Sequence, residues 1–466
     1  MTLLRFLLFA LGLVAFSNGE AGSPPTVGEM EKLSREVSAA LPDAVKPSGR
    51  VHHVDLLAAE FESGILPPFR ARLFAYNRQI PGPVIRIQLG DTLEVRLLND
   101  LPQATTIHWH GVRVPNRMDG VPGLTQKRVE PGASFTYRFT PKDAGTFWFH
   151  PHLAAAEQVE KGLHGVLVVE DPNDPPYSQD WVWILDDWLI DQDGGLYDEY
   201  VTRHDLAHDG RWGNFMTING QFRPDFRVKP GERLRIRLVN VANGRVFAPN
   251  FYGLNATVIA VDGMPVAESF ELSNFLLAPG NRVDLDLTIT KQSAGSRIRI
   301  EDRFSGRTTQ IGTLAVDSEG FVESPEFEAP RAASFADFSS AFGLPIRHEF
   351  LLDAEGGGPY GIAWTIDGRV WPRFEAVELE AGKLVRLRFT NLSGRLHPMH
   401  LHGQFFQLLA RGGEAANERF WRDTVLVGPE ESVDIGLIPR DSGIWANHCH
   451  ILEHAEAGMM TAVRVK

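Results

Sequence analysis

A chain of 466 residues with 43% hydrophobic and 23% charged content is an ordinary globular protein, long enough for about three domains. The net charge of −13 and the lack of any Lys/Arg-rich block exclude the electrostatic footprint of a nucleic-acid binder. The only cysteine is Cys449, which excludes an intramolecular disulfide and asks for another use of the thiol.

In chain order, Met1 to Gly19 carries one cation at Arg5, then the apolar run Phe6 to Phe16, then Ser17, Asn18 and Gly19. This is the layout of a signal peptide over residues 1–19, and without a twin-arginine pair it points to general secretion. No later stretch approaches about 20 apolar residues. A mature protein with no membrane span, periplasmic or secreted, is therefore expected. A helix is predicted near Val27 to Leu41, with surface packing as its default role.

From there the chain repeats itself. The segment Val84 to Asn99 recurs in form as Phe226 to Asn240 and Val377 to Asn391, each alternating apolar with polar residues around a Gly turn. That is the period-2 signature of two half-buried strands. A second block, from Val129 to His152, returns from Leu277 and from Val427. The chain is a triplicated β-rich unit with copies at about 50–172, 177–318 and 340–466, and each copy is predicted to form a β-sandwich.

Ten of the sixteen histidines fall in four clusters, all in the first and third copies. These are His108-Trp109-His110, His150-Pro151-His152, His397-Pro398-Met399-His400-Leu401-His402, and His448-Cys449-His450 followed by His454. Side chains alternate faces along a strand, so each H-x-H triplet puts both imidazoles on one face and its middle residue on the other. The triplets can thus present eight imidazoles to one shared cavity. In the middle copy Phe247, Asn250 and Tyr252 stand where the third has His397, His400 and His402, so the fold itself does not require histidines. His52, His53, His164, His204, His208 and His348 belong to no motif and are expected to be ordinary surface or core residues.

In the first copy Thr105 stands in place of His397 and Pro151 in place of Cys449, so only the third copy can build a site around a thiolate. Cys449, His397 and His454 form the set of one cysteine and two histidines that, with a weak axial methionine, is diagnostic of blue copper. Met459 is the axial candidate and Met460 the alternative. Zinc also binds His and Cys, but converging histidines without carboxylates, beside a single set of one Cys, two His and one Met, suit copper better.

These motifs resemble, in order, the copper signatures of the multicopper oxidases, the family of laccases, ascorbate oxidase and bacterial cuprous oxidases. The three copies resemble the family's domains over nearly all of the mature chain. The resemblance implies an all-β fold of three cupredoxin-like Greek-key β-sandwich domains in tandem. It implies four copper ions per chain, with a type 1 copper at His397, Cys449, His454 and Met459. A type 2 copper would lie at His108 and His400, and a type 3 pair at His110, His150, His152, His402, His448 and His450. Asp119, in Met118-Asp119-Gly120, matches the acidic residue that the family places near the type 2 copper, and a catalytic role in proton supply is implied for it. One departure is Ala455, where many bacterial relatives have an acidic residue. Glu453 and Glu456 flank it, and the sequence does not choose between them.

The activity so implied is oxidation of a phenol-like organic, laccase fashion, coupled to reduction of O2 to water. The alternative reductants are Cu⁺, Mn²⁺ or Fe²⁺. A non-catalytic copper-binding scaffold is disfavoured because every ligand is in place, and copper nitrite reductases because that family form is normally shorter, with two such domains. The eight methionines form no cluster outside the motifs, so Cu⁺ is not expected to be preferred over a phenol. Asp186, Asp187, Asp191 and Asp193 are expected to lie in solvated charged loops, with acidity added at the rim of the type 1 site as the alternative.

Overall fold

The structure is a computed structural model that describes residues 26–466 except 64–70, 274, 305, 325 and 333. The expected signal peptide at 1–19 lies outside the described residues. The first element is the expected helix, Val27–Ala40. A capping box starts it, Thr26 accepting from the Glu29 amide while the Glu29 carboxylate accepts from the Thr26 amide. Leu33 and Val37 on one face, with Leu41 beyond its end, enter the core of the first sandwich, so the helix packs rather than reacts.

Each copy is then built by the same pairings. The opening strand lies parallel to the strand after the Gly turn: Val51–Ser63 with Thr92–Asp100, Gln179–Trp188 with Arg233–Asn240, Ile346–Gly356 with Val385–Asn391. The strand before the turn lies parallel to the last strand of its copy: Val84–Gln88 with Gly165–Glu170, Asp225–Val228 with Thr309–Val316, Val377–Leu379 with Met460–Val465. The chain crosses between sheets at each turn, where Gly90, Gly231 and Gly382 all take positive φ. Each copy therefore closes as two sheets face to face, of four and four, six and four, and six and five strands.

The cores follow from the alternation. In Thr92–Asp100, Leu93, Val95 and Leu97 are buried and meet Ile87, Trp109 and Phe147 of the opposite sheet. Trp183 and Ile236 meet Phe251 and Leu314 in the middle sandwich, and Phe350 and Leu387 meet Trp445 and Val463 in the third. This is the all-β fold that the repeats lead one to expect.

The acidic-loop expectation is corrected. Asp186 and Asp187 lie in the strand Gln179–Trp188 and are buried. Asp187 accepts from Arg245 Nε at 2.7 Å, while Asp186 sits 3.5 Å from His164 Nε2. The apolar flanks continue the strand inward, and basic partners make the buried carboxylates tolerable. Asp191 closes a turn by accepting from the amides of Asp193 and Gly195.

Candidate metal centre

The strand His397–Leu401 runs between Thr424–Val427 and Gly443–Cys449, with Met399 opposite Cys449 and His400 opposite His448. On the Cys449 side, Sγ lies 3.6 Å from His397 Nδ1 and 3.9 Å from His454 Nδ1, and the two nitrogens are 3.3 Å apart. His454 comes from the one-turn helix Leu452–Glu456 that follows the H-C-H triplet. Bonds of about 2.0 Å to nitrogen and about 2.3 Å to sulfur put the donors of one ion roughly 3.3 to 4 Å apart. The three atoms fit a single metal.

Their outer edges are tied down. His397 Nε2 donates to Ser393 Oγ at 2.9 Å, and His454 Nε2 donates to the His208 carbonyl at 3.0 Å. Burial pushes His397 well below its usual value and His454 down to about 3, so both rings are neutral and offer a lone pair. Burial also pushes the Cys449 thiol up, so a thiolate here calls for a cation beside it. Met459 is fully buried in the same apolar cluster as Cys449. Met460 lines a cavity with His152 and His448 on the other side of the strand.

The remaining eight histidines meet across the first and third sandwiches. His108 stands opposite His150 in the strand pair His108–His110 and Gly145–His150. The ring of His108 stacks on His402 with centroids 3.8 Å apart, and His110 stacks on His400 at 3.7 Å. Nε2 of His448 lies 3.0 Å from that of His402 and 3.3 Å from that of His152. Within this group Nε2 of His108, His150, His400 and His450 and Nδ1 of His110 are enclosed without any hydrogen-bond partner. Unpaired buried polar atoms are costly, and several together are what a multinuclear metal site explains.

The opposite ring nitrogens support that reading, because most donate to oxygen and so aim their partners inward. His108 Nδ1 donates to the Asp119 carbonyl at 2.8 Å, and His402 Nδ1 to Asp119 Oδ2 at 2.9 Å. His150 Nδ1 donates to the Pro151 carbonyl, His400 Nδ1 to the Asp423 carbonyl, and His448 Nδ1 to the Cys449 carbonyl. Burial holds His110, His150, His152, His402 and His450 well below their usual value and His448 down to about 3. Asp119 thus stands behind the rings, not between them. One carboxylate oxygen accepts from His402 Nδ1, and the other lies 3.3 Å from His108 Nδ1.

Sequence reasoning missed Asp423, Arg282 and Gly280. Asp423 Oδ1 accepts from His110 Nε2 at 3.2 Å, and Arg282, from the middle copy, grips both carboxylate oxygens at 3.0 and 2.6 Å. Burial pushes the Asp423 carboxyl up, but Arg282 and then His400 outweigh it and keep it ionised. Gly280 leaves room for the rings, since a Cβ there would lie 2.8 Å from His110 Cε1.

A cavity of 170 Å³ leads from outside to His152 and His448, walled by Ala154, Trp371, Glu456 and Met460. Of the two glutamates beside Ala455, Glu456 is the one that lines it. Glu453 faces the middle sandwich, accepting from Asn243 Nδ2 at 2.7 Å and the Arg211 amide at 3.1 Å.

Fold and site together define a copper protein of repeated sandwiches. The multicopper oxidase family models match residues 65–174, 179–305 and 344–466. The chain is 30% identical to the multicopper oxidase MmcO of Mycobacterium tuberculosis, over 96% of this chain and 93% of that one. The laccase of Pediococcus acidilactici superposes with a TM-score of 0.77 at 27% identity, covering 91% of each chain. A multicopper oxidase of Campylobacter jejuni, described as a metallo-oxidase, superposes at 0.76 with 25% identity, covering 92% of this chain and 94% of that one. The chain belongs to the multicopper oxidase family and is a copper-dependent oxidoreductase that uses O2 as acceptor.

Proposed function

We propose that this enzyme is laccase-like, taking single electrons from a phenol-like organic at a type 1 copper that His397, Cys449, His454 and Met459 would hold. Four copper ions are bound per chain. His108 and His400 hold the type 2 ion, and His110, His150, His152, His402, His448 and His450 the type 3 pair. The domains 50–172 and 340–466 each supply half of that trinuclear set, and 177–318 supplies no ligand. Bound copper supplies the one-electron redox chemistry and the reduction of O2 to water.

The protein's own share is position. Strand alternation turns Cys449 to one side and His448 and His450 to the other, and the His448 Nδ1–H to Cys449 carbonyl bond, 2.8 Å, joins the two centres directly. Asp423 orients His110, Asp119 holds His402 and is the residue assigned to proton supply at the cluster, and the cavity past Glu456 gives O2 and water a way in. The observation that carries the proposal is the set of enclosed, partnerless ring nitrogens, whose histidines gather in threes with ligand atoms within 4.8 Å of one another, on strands that also carry Cys449 and His397 of the triad with His454. The apolar leader at 1–19 supports a periplasmic or secreted site of action.

The test is O2 uptake by copper-loaded protein with a dimethoxyphenol, against Cys449→Ser. The wild type should be blue and consume O2, and the variant should lose the visible band and the activity. A variant that stays blue would remove the assignment. Oxidation of metal ions is the second reading, favoured by the likeness to the Campylobacter jejuni enzyme described as a metallo-oxidase.

A further inference from the structure

We propose that Trp364 is a positioning residue through which the middle domain sets the planes of His397 and His454 and, with them, the potential of the type 1 site. The inference rests on the type 1 reading of that triad. Trp364 lies in the strand Ile362–Ile366, where alternation turns Ile362, Trp364 and Ile366 toward the core of the third sandwich. There the indole, 2% exposed, meets both imidazoles. Its centroid is 4.3 Å from that of His454 with 33° between planes, and 4.8 Å from that of His397 at 71°, close to edge-on.

Each of those rings already has one end fixed, His397 Nε2 on Ser393 Oγ and His454 Nε2 on the His208 carbonyl. A single hydrogen bond fixes where a ring nitrogen sits but lets the ring turn about the line through it. A flat face packed against the imidazole is what sets the plane, and one indole does this for both rings. The same strand also lies against the chain that leads from His454 to Met459. The Trp364 amide donates to the Ala457 carbonyl at 3.1 Å, and a Cβ on Gly458 would lie 3.0 Å from the Trp364 carbonyl oxygen.

The indole is itself held from outside its own sandwich. Trp364 Nε1 donates at 3.1 Å to the carbonyl of Leu206, in the one-turn helix Arg203–Leu206 of the middle domain. The Leu206 side chain is 0% exposed and belongs to the same core cluster as Trp364, Cys449 and Met459. Two more bonds fasten this stretch, from His454 to the His208 carbonyl and from the Leu396 amide to Asp209 Oδ1 at 2.8 Å, next to His397. Many buried tryptophans only fill space, and in this chain Nε1 of Trp109, Trp148 and Trp183 has no partner. Trp364 instead commits its one polar atom to another domain while its ring bears on two proposed ligands of one ion. An apolar wall that keeps water from a metal favours the form of lower charge, and reduced copper carries one charge fewer, so the wall raises the potential.

Two variants separate the wall from the tie. Trp364→Phe keeps a flat apolar ring and loses the bond to Leu206, whereas Trp364→Leu loses both. Redox titration of the visible band on copper-loaded protein should give the highest potential for wild type, a lower one for the Phe variant and the lowest for the Leu variant. In the copper-free protein Cys449 is the only thiol, and a thiol reagent should label it at least tenfold faster in the Leu variant than in wild type, with the Phe variant between. A Phe variant with the wild-type potential overturns the link to the middle domain. A Leu variant with wild-type potential and labelling makes Trp364 an ordinary core residue. If the Leu variant does not fold, the Phe variant decides alone. A copper-loaded wild type without a blue band would sink the type 1 reading instead, and the labelling rates would still report whether Trp364 shields the triad.

Discussion

At the residue scale, neighbouring side chains are sorted by which way the strand turns them. Met459 shares the apolar pocket of Cys449, while Met460 faces the cavity beside His152. A long axial thioether tunes a blue copper site without holding it. Met459→Leu should keep the visible band and raise the potential measured by redox titration, and the same shift from Met460→Leu would reverse the assignment. A second residue reads out in pH. Burial pushes Glu160 up to about 7, with Arg211 offsetting part of the penalty. The unfolded carboxyl titrates near 4.5, so between 4.5 and 7 the folded state holds the extra proton and stability falls as pH rises through that window. Glu160→Gln should show a smaller loss of Tm between pH 5 and pH 8 than the wild type. An equal loss in the two proteins would place the pH dependence elsewhere.

At the element scale, strands and turns make the histidines converge. Register puts His108 opposite His150 and His400 opposite His448, and the turn at Gly280 lets the middle sandwich approach both halves. Gly280 has φ +88°, and a Cβ there would lie 2.8 Å from His110 and 3.0 Å from His450. Gly280→Ala should therefore cost about 1–2 kcal/mol from the left-handed backbone alone and press on two rings of the cluster. Reduction of the type 1 band by a phenol should persist while its reoxidation by O2 slows, as stopped-flow absorbance would show; unchanged reoxidation would mean the rings yield freely. Much of this level was legible in the chain. Period-2 alternation, the repeated Gly turns and the H-x-H triplets are short-range signals, and Cys449 has no rival. Asp423, Arg282 and the His208 carbonyl were not legible, because their contacts join residues 141 to 313 positions apart and one of them ends on a backbone carbonyl. The strand run Trp181 to Trp188 also misled, since paired acids at its end read as a solvated loop.

At the scale of the whole molecule, the middle domain fastens the other two. Arg282 donates to the Thr146 carbonyl of the first sandwich at 3.2 Å, and it grips Asp423 of the third. Asp262, also from the middle sandwich, accepts from the Asp423 amide at 3.2 Å. One guanidinium, 0% exposed, therefore fixes the carboxylate that orients His110 and holds the seam across which the two halves of the histidine cluster meet. Removing it leaves Asp423 and Asp262 buried without their cation, a change that costs on the order of 3–5 kcal/mol when one partner of a buried pair is lost. Arg282→Met should lower the Tm by several degrees. The triad of His397, Cys449 and His454, the proposed type 1 site, lies within the third sandwich, so the visible band per protein should stay near the wild-type value while total copper falls. Arg282→Lys keeps the charge but not the two-pronged grip, and should fall between. Total copper equal to wild type in Arg282→Met, measured alongside an unchanged blue band, would show that the third domain orients Asp423 without help and that the middle domain is only a spacer.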